Sequence, residues 1–145
     1  MHPLNLLGLS HIISIIVCVA LIVFLPRVFI ERNDKSKKLL IFTIIFLMLI
    51  NHVMDFYYEG YRDQLKLGLP IHLCDFSSAA IILYFFTKRR VFFLFAFFAG
   101  ISGAGMALLT PDSEYGFPNI HYVRHMIGHA MILLGVSYAI IIDNQ

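Results

Sequence analysis

Five long apolar stretches, at 6–25, 39–58, 71–87, 91–110 and 120–142, leave this chain few choices of fold. A transmembrane helix needs roughly 20 mostly apolar residues to cross a hydrocarbon core about 30 Å thick, and each stretch is close to that length. In hydrocarbon every backbone N–H and C=O must be bonded within its own segment, so helices are the only spanning form open to such runs. The expected fold class is all-α: a polytopic membrane helix bundle of about five transmembrane helices. It should form a single transmembrane domain over residues 1–145, without internal repeats or low-complexity linkers. The third stretch is the shortest, and Pro70 before it suits a first helical turn, where its missing N–H loses no partner. The first stretch lacks a basic segment ahead of it and a small-residue cleavage site behind it. It is expected to remain a helix of the mature protein.

Composition agrees with a bilayer as solvent. Of 145 residues, 59% are hydrophobic and 14% charged, against about a quarter charged in a soluble domain. A net charge of +2, with the basic residues in short inter-helix loops, excludes a nucleic-acid-binding surface. Cys18 and Cys74 are too few for a disulfide framework and lie in different apolar segments. Orientation follows from the basic residues. Arg27, Arg32, Lys35, Lys37, Lys38, Lys88, Arg89 and Arg90 fall on one side, and Arg62, Lys66 and Arg124 on the other. The expectation is a multi-pass protein of the cell membrane, N-terminus outside and C-terminus cytoplasmic.

Ionisable residues inside a membrane are expensive and mark function by default. Here they cluster. His11 stands near the start of the first helix, and His52, Asp55 and Glu59 near the end of the second. His72, Cys74, Asp75, Ser77 and Ser78 open the third. Thr110-Pro111-Asp112 closes the fourth, and His121, His125 and His129 open the fifth. In an antiparallel bundle these positions share one half of the bilayer, the outer one, while the other half is almost purely apolar. A rise of about 1.5 Å per residue puts His52 roughly 9 Å and His129 roughly 13 Å below the outer helix ends. The expected picture is a polar pocket opening outward above an apolar floor.

Each element also has a plainer reading. His52, Asp55 and Glu59 share one helix face, as an interhelical hydrogen-bonding stripe would. His121 suits an interfacial residue, and His72 and Asp75 suit a helix cap. Cys18 reads as packing, and Cys74 alone would read as a small buried hydrophobe. Gly100, Gly103 and Gly105 follow no strand, so they read as small residues for close helix packing rather than a phosphate loop. The combination says more. Cys74 falls near a helix N-terminus, whose partial positive charge favours thiolate. A cysteine, a histidine base and an orienting carboxylate are the parts of a thiol acyl-transfer site. The same side chains could ligate a metal, but no tight ligand signature accompanies them.

Leu69-Pro70-Ile71-His72-Leu73-Cys74, Ala107-Leu108-Leu109-Thr110-Pro111-Asp112 and Gly116-Phe117-Pro118 through to His129, with Ser10-His11 as a weaker match, resemble the YwaF-like integral membrane family. That family also contains vertebrate transmembrane protein 164, described as a phospholipid acyltransferase. The resemblance implies a multi-pass membrane enzyme in which Cys74 accepts the acyl group and His129 is the general base. Family members usually have six or seven helices, where five are expected here.

The expected function is therefore a thiol-dependent phospholipid acyltransferase or lipase-like enzyme with an outward-facing Cys/His site. The alternatives are a non-enzymatic membrane module, either an assembly subunit or an inactive short form, and a proton- or metal-binding membrane protein. The expected catalytic residues are Cys74, His129, His72 and Asp75. The expected substrate-binding residues are His11, His52, Asp55, Thr110, Asp112 and His125. Membrane lipid is the expected partner, with phospholipid as substrate, and no metal or other cofactor is expected.

Overall fold

Each helix begins and ends where the local chemistry allows. In the computed structural model, residues 4–6, 8–58 and 72–145 are described, without the side chains of 55–58. The expectations for Glu59, Arg62, Lys66, Pro70 and the side chain of Asp55 lie outside the described residues. Helix α1 spans Leu9–Val28 and contains Pro26. A proline has no N–H to give the carbonyl four residues back. That carbonyl, on Ile22, instead accepts the Ser137 hydroxyl at 2.6 Å, which is how the helix runs past the expected end at residue 25.

Helix α2 spans Asp34–Tyr58, starting five residues before the expected 39. The cause is Asn33, whose side-chain oxygen accepts the Ser36 N–H at 2.9 Å and so satisfies a first-turn donor. Lys35, Lys37 and Lys38 consequently belong to the first turns of a helix rather than to a loop. Helix α3 spans Leu73–Thr87 and is closed by Lys88 in the left-handed conformation, φ 53°, with its N–H on the Tyr84 carbonyl at 2.7 Å.

Helix α4, Arg90–Ala99, passes into a π-helical turn at Gly100–Ala104 and then into α5, Gly105–Leu109. The three form one rod. Helix α6 spans Ile120–Ile141, capped by the Asn119 side chain, which accepts the His121 N–H at 2.9 Å. The Phe117–Pro118 peptide before it is cis.

Among the described residues four helical rods are long and apolar enough to cross a membrane: Leu9–Val28, Asp34–Met54, Arg90–Leu109 and Ile120–Ile141. Helix α3 is a shorter apolar helix between them. Large apolar side chains such as Leu9, Phe46, Phe86, Val91 and Phe98 stand fully exposed on the outside of the bundle. Only a hydrocarbon solvent accepts such a surface. The fold is all-α, and the protein is a membrane protein.

Helix α6 forms the centre, with 56% of its apolar window buried against 11% for α1. Small residues bring the backbones together, as is usual between membrane helices. A methyl group on Gly135 of α6 would come within 2.9 Å of Ile81 on α3, and one on Gly100 within 3.3 Å of Ile132. Ile44, Met48, Ile81, Tyr84, Ala130 and Leu134 fill the core between α2, α3 and α6. Helices α1, α3 and α6 begin at one end of the bundle, where α2 and α5 finish. We call this the histidine end, and the opposite one the basic end.

Candidate functional site

At the histidine end, α2, α3 and α6 enclose a cavity of about 50 Å³ lined by Met48, Asn51, His52, Cys74, Asp75, Ser78, Gly128, His129 and Ile132. It has room for a few water molecules or one ester group. Met48 and Ile132, both buried, supply the apolar part of its lining. Among the described residues a wider groove of about 680 Å³ lies at the basic end, bordered by Lys37, Lys38, Ile41 and Phe85. It is larger but holds neither a thiol nor a histidine.

The cavity wall on α3 follows from how that helix starts. His72 is the N-cap, in extended conformation, and its backbone N–H donates to Asp75 Oδ2 at 3.2 Å. Cys74 is therefore the second helical residue, inside the first turn, where backbone N–H groups have no intrahelical acceptor. Its thiol is free. The π-helical turn brings Gly103 against it, so close that a methyl group there would stand 3.2 Å from the sulfur. One turn further along α3, Ser78 is completely buried and its hydroxyl lies 2.9 Å from His52 Nε2. The other ring nitrogen of His52 faces Asp75 Oδ1 at 3.5 Å.

On α6, His129 Nδ1 lies 2.8 Å from the His125 carbonyl. A carbonyl only accepts, so Nδ1 carries the proton, and in the neutral ring Nε2 holds the lone pair. The His125 ring packs on the His129 ring at 4.2 Å between centroids, and His125 Nε2 donates to the Ala107 carbonyl at 3.1 Å. His125 also borders an outer depression of about 480 Å³ with Asp112, Ser113, Glu114, Tyr115, Asn119 and His121. One face of this residue thus looks to the surface and another holds the cavity histidine.

The structure brings together Cys74, His129, His52 and Asp75. It does not bring in the rest of the expected set. His11 is sealed between α1, α5 and α6: its Nε2 donates to the Leu109 carbonyl at 3.2 Å, and its Nδ1 accepts the Tyr122 hydroxyl at 2.9 Å. With both nitrogens used and the ring buried, His11 is a brace and not part of the cavity. His72 is exposed and contributes its backbone. Thr110 returns its hydroxyl to the Met106 carbonyl at 2.9 Å. Asp112 and His125 belong to the outer depression. Asp75 faces His52, so His129 takes its orientation from a carbonyl rather than from that carboxylate. Among the described residues no group of three or more His, Cys, Asp or Glu is arranged to hold a metal ion.

Among the polar and small cavity residues, Asn51 and Gly128 were not named in the sequence reading, and Ser78, named there in the polar cluster, was not among the expected site residues. Ser78 lies four residues after Cys74, a spacing that shares a helix face, and that signal could have singled it out. Asn51 precedes His52 and Gly128 precedes His129. A methyl group at Gly128 would collide with the Asn51 amide, so this glycine makes the space in which Asn51 sits.

Fold and cavity together define a polytopic, all-α membrane protein with a thiol and two imidazoles gathered in one small void between its helices. A model of the TMEM164 family matches residues 6–145, and the chain belongs to that family. This agrees with the resemblance read from the His72-Leu73-Cys74 and Thr110-Pro111-Asp112 segments. An uncharacterized protein of Treponema pallidum (strain Nichols) is 28% identical over 108 residues, 74% of this chain and 42% of that protein. The chain thus matches less than half the length of this relative. No solved structure matches.

Proposed function

We propose that the protein is a membrane-embedded thiol acyltransferase or lipase-like enzyme that carries an acyl group as a thioester on Cys74. The observation that carries this reading is the pairing, in one 50 Å³ cavity, of the Cys74 thiol with a His129 ring whose Nδ1–H is locked on a carbonyl. That tautomer leaves a lone pair for the thiol proton, as a general base requires. Donors to a developing oxyanion would come from the Asn51 amide and the start of α3, which border the same cavity. A cavity of this size admits the ester group of a phospholipid while its chains stay in the bilayer. The substrate then reaches the thiol from the lipid side or through the outer depression beside His125.

Sidedness belongs to the same reading. The bias of eight basic residues to three supports an orientation with the histidine end outside the cell membrane and the C-terminus in the cytoplasm. A reporter active only in the cytoplasm, fused after Gln145, should give signal. Silence there, with signal from an N-terminal fusion, reverses the orientation.

The enzymatic reading is tested by incubating the purified protein with a p-nitrophenyl acyl ester and searching for a hydroxylamine-labile adduct by mass spectrometry. The adduct should sit on Cys74 and vanish in Cys74→Ser, with Cys18 unmodified. An intact protein that forms no adduct, or forms it equally on both cysteines, makes a non-enzymatic membrane module the better reading.

A further inference from the structure

The thiol and His129 do not account for the whole cavity. A second chain of polar groups lines its other wall, running from Ser78 through His52 to Asp75. The Ser78 hydroxyl lies 2.9 Å from His52 Nε2, and His52 Nδ1 lies 3.5 Å from Asp75 Oδ1. A carboxylate facing Nδ1 puts the proton on that nitrogen, so Nε2 is the acceptor and Ser78 the donor. The carboxylate is itself fixed, because its other oxygen receives the His72 N–H at 3.2 Å. An interhelical brace needs a single hydrogen bond. His11 is such a brace, buried, with its ring nitrogens on the Tyr122 hydroxyl and the Leu109 carbonyl. His52 differs in its setting: the Ser78 hydroxyl on its Nε2 lines a void that also holds Cys74.

We propose that His52 is the base of the second half-reaction, removing through Ser78 the proton of an acceptor alcohol that attacks the Cys74 thioester. The inference rests on the reading of Cys74 as the acyl carrier and adds the acceptor side to it. The acceptor is an alcohol, as acyl transfer from a thioester to oxygen requires. In the step, the alcohol oxygen bonds to the acyl carbon and the carbon–sulfur bond breaks. The alcohol proton moves to Ser78 Oγ as the serine proton moves to His52 Nε2. The departing Cys74 thiolate then recovers a proton from the His52 imidazolium by the same route, giving an ester and a free thiol. His129 serves acylation and His52 serves deacylation. Asp75 is the positioning residue that holds the His52 tautomer.

The two half-reactions separate in a single experiment. Full-length protein in lipid nanodiscs is mixed rapidly with a p-nitrophenyl acyl ester, with lysophosphatidylcholine as acceptor. The burst of p-nitrophenolate reports acylation, and the later steady rate reports deacylation. In His52→Gln, Ser78→Ala and Asp75→Asn the burst should keep its amplitude while the steady rate falls about 10²-fold or more, the usual size of a general-base effect. The hydroxylamine-labile adduct on Cys74 should then accumulate. His129→Ala should instead slow the burst itself. If the burst and the steady rate fall in parallel in all three variants, the Ser78 chain only braces the helices and the inference is wrong. A wild-type protein with no burst and no adduct overturns the reading of Cys74 as well, so the two failures are distinguishable. Should His52→Gln fail to fold, Asp75→Asn carries the same test, since it leaves the imidazole and the serine in place.

Discussion

At the basic end, several polar side chains close on fixed partners. Tyr84 and Lys88 both donate to Asp143, at 2.9 and 2.6 Å, and Ser137 fills the gap that Pro26 leaves in α1. Around them Phe85, Phe93 and Tyr138 pack as tilted and edge-on rings. At the histidine end the same helices hold His52, Ser78, Cys74 and His129 around a void, the thiol and the His129 ring lining the same space. Both ends are polar, and only one is spent on stability. Polar groups in a bundle core are thus no evidence of a site until one asks whether their donors and acceptors are consumed. By that criterion His11, at the histidine end, belongs with the basic end.

The largest effect that can test this contrast comes from two glycines of α6. Gly128→Val puts methyl groups into the Asn51 amide and closes the cavity. It should cut Cys74 adduct formation more than 100-fold and cost about 1–3 kcal/mol through overpacking. Gly135→Val, seven residues further along α6 and pressed against Ile81, should cost a similar amount of stability and leave adduct formation by the folded fraction within twofold. Thermal unfolding in detergent beside adduct yield checks both. Equal losses of adduct in the two variants would mean that the cavity has no special standing.

The next test sets one histidine against another. His11→Phe leaves the Tyr122 hydroxyl and the Leu109 carbonyl buried without the ring that joins them, and should destabilise by about 2–3 kcal/mol. Alkylation of Cys74 in the folded protein should not change. His129→Ala should do the reverse, slowing Cys74 alkylation at neutral pH at least tenfold with a small change in Tm. A slower alkylation in His11→Phe would move that residue back into the site.

Smaller effects are expected where a bond only repairs the backbone. Ser137→Ala should cost about 1 kcal/mol, the net worth of one hydrogen bond. The loss should shrink in a Pro26→Ala background, where residue 26 regains its own N–H for the Ile22 carbonyl. A double-mutant cycle by chemical denaturation measures that coupling, and strict additivity would show that the serine does not stand in for the missing bond. The smallest effect belongs to Gly105, which has nothing within 4 Å of an added methyl. Gly105→Ala should stabilise by less than about 1 kcal/mol by restricting the unfolded chain, with no change in adduct yield.

The membrane class and the all-α architecture were legible because hydrophobic length is a property of each segment by itself. The start of α2 was not, because a single cap, Asn33, outweighs the polar character of 34–38. Of the candidate site, Cys74, His129, His52 and Asp75 were legible from the clustering of ionisable groups in one half of the chain's helices. His11 met the same criterion and sits elsewhere. Sequence places a residue at a depth but does not say toward which neighbour it turns, and α1 turns His11 toward α5 and α6 while the cavity lies between α2, α3 and α6. Asn51 and Gly128 were missed, and Ser78 was seen only as part of a polar cluster, because an amide, a glycine and a serine carry no chemistry until a partner faces them.

The π-helical turn at Gly100–Ala104 acts on the rod as a vernier. Such a turn holds one residue more than an α-helical turn, so everything beyond it is rotated relative to everything before it. Deleting one residue from 100–104 would restore an even spiral and swing 105–109 by about 100° against α4. The carbonyls of Ala107 and Leu109 would then leave His125 and His11, their present donors. One surplus residue therefore sets the phase between a rod anchored at the basic end and the two histidines it holds at the other.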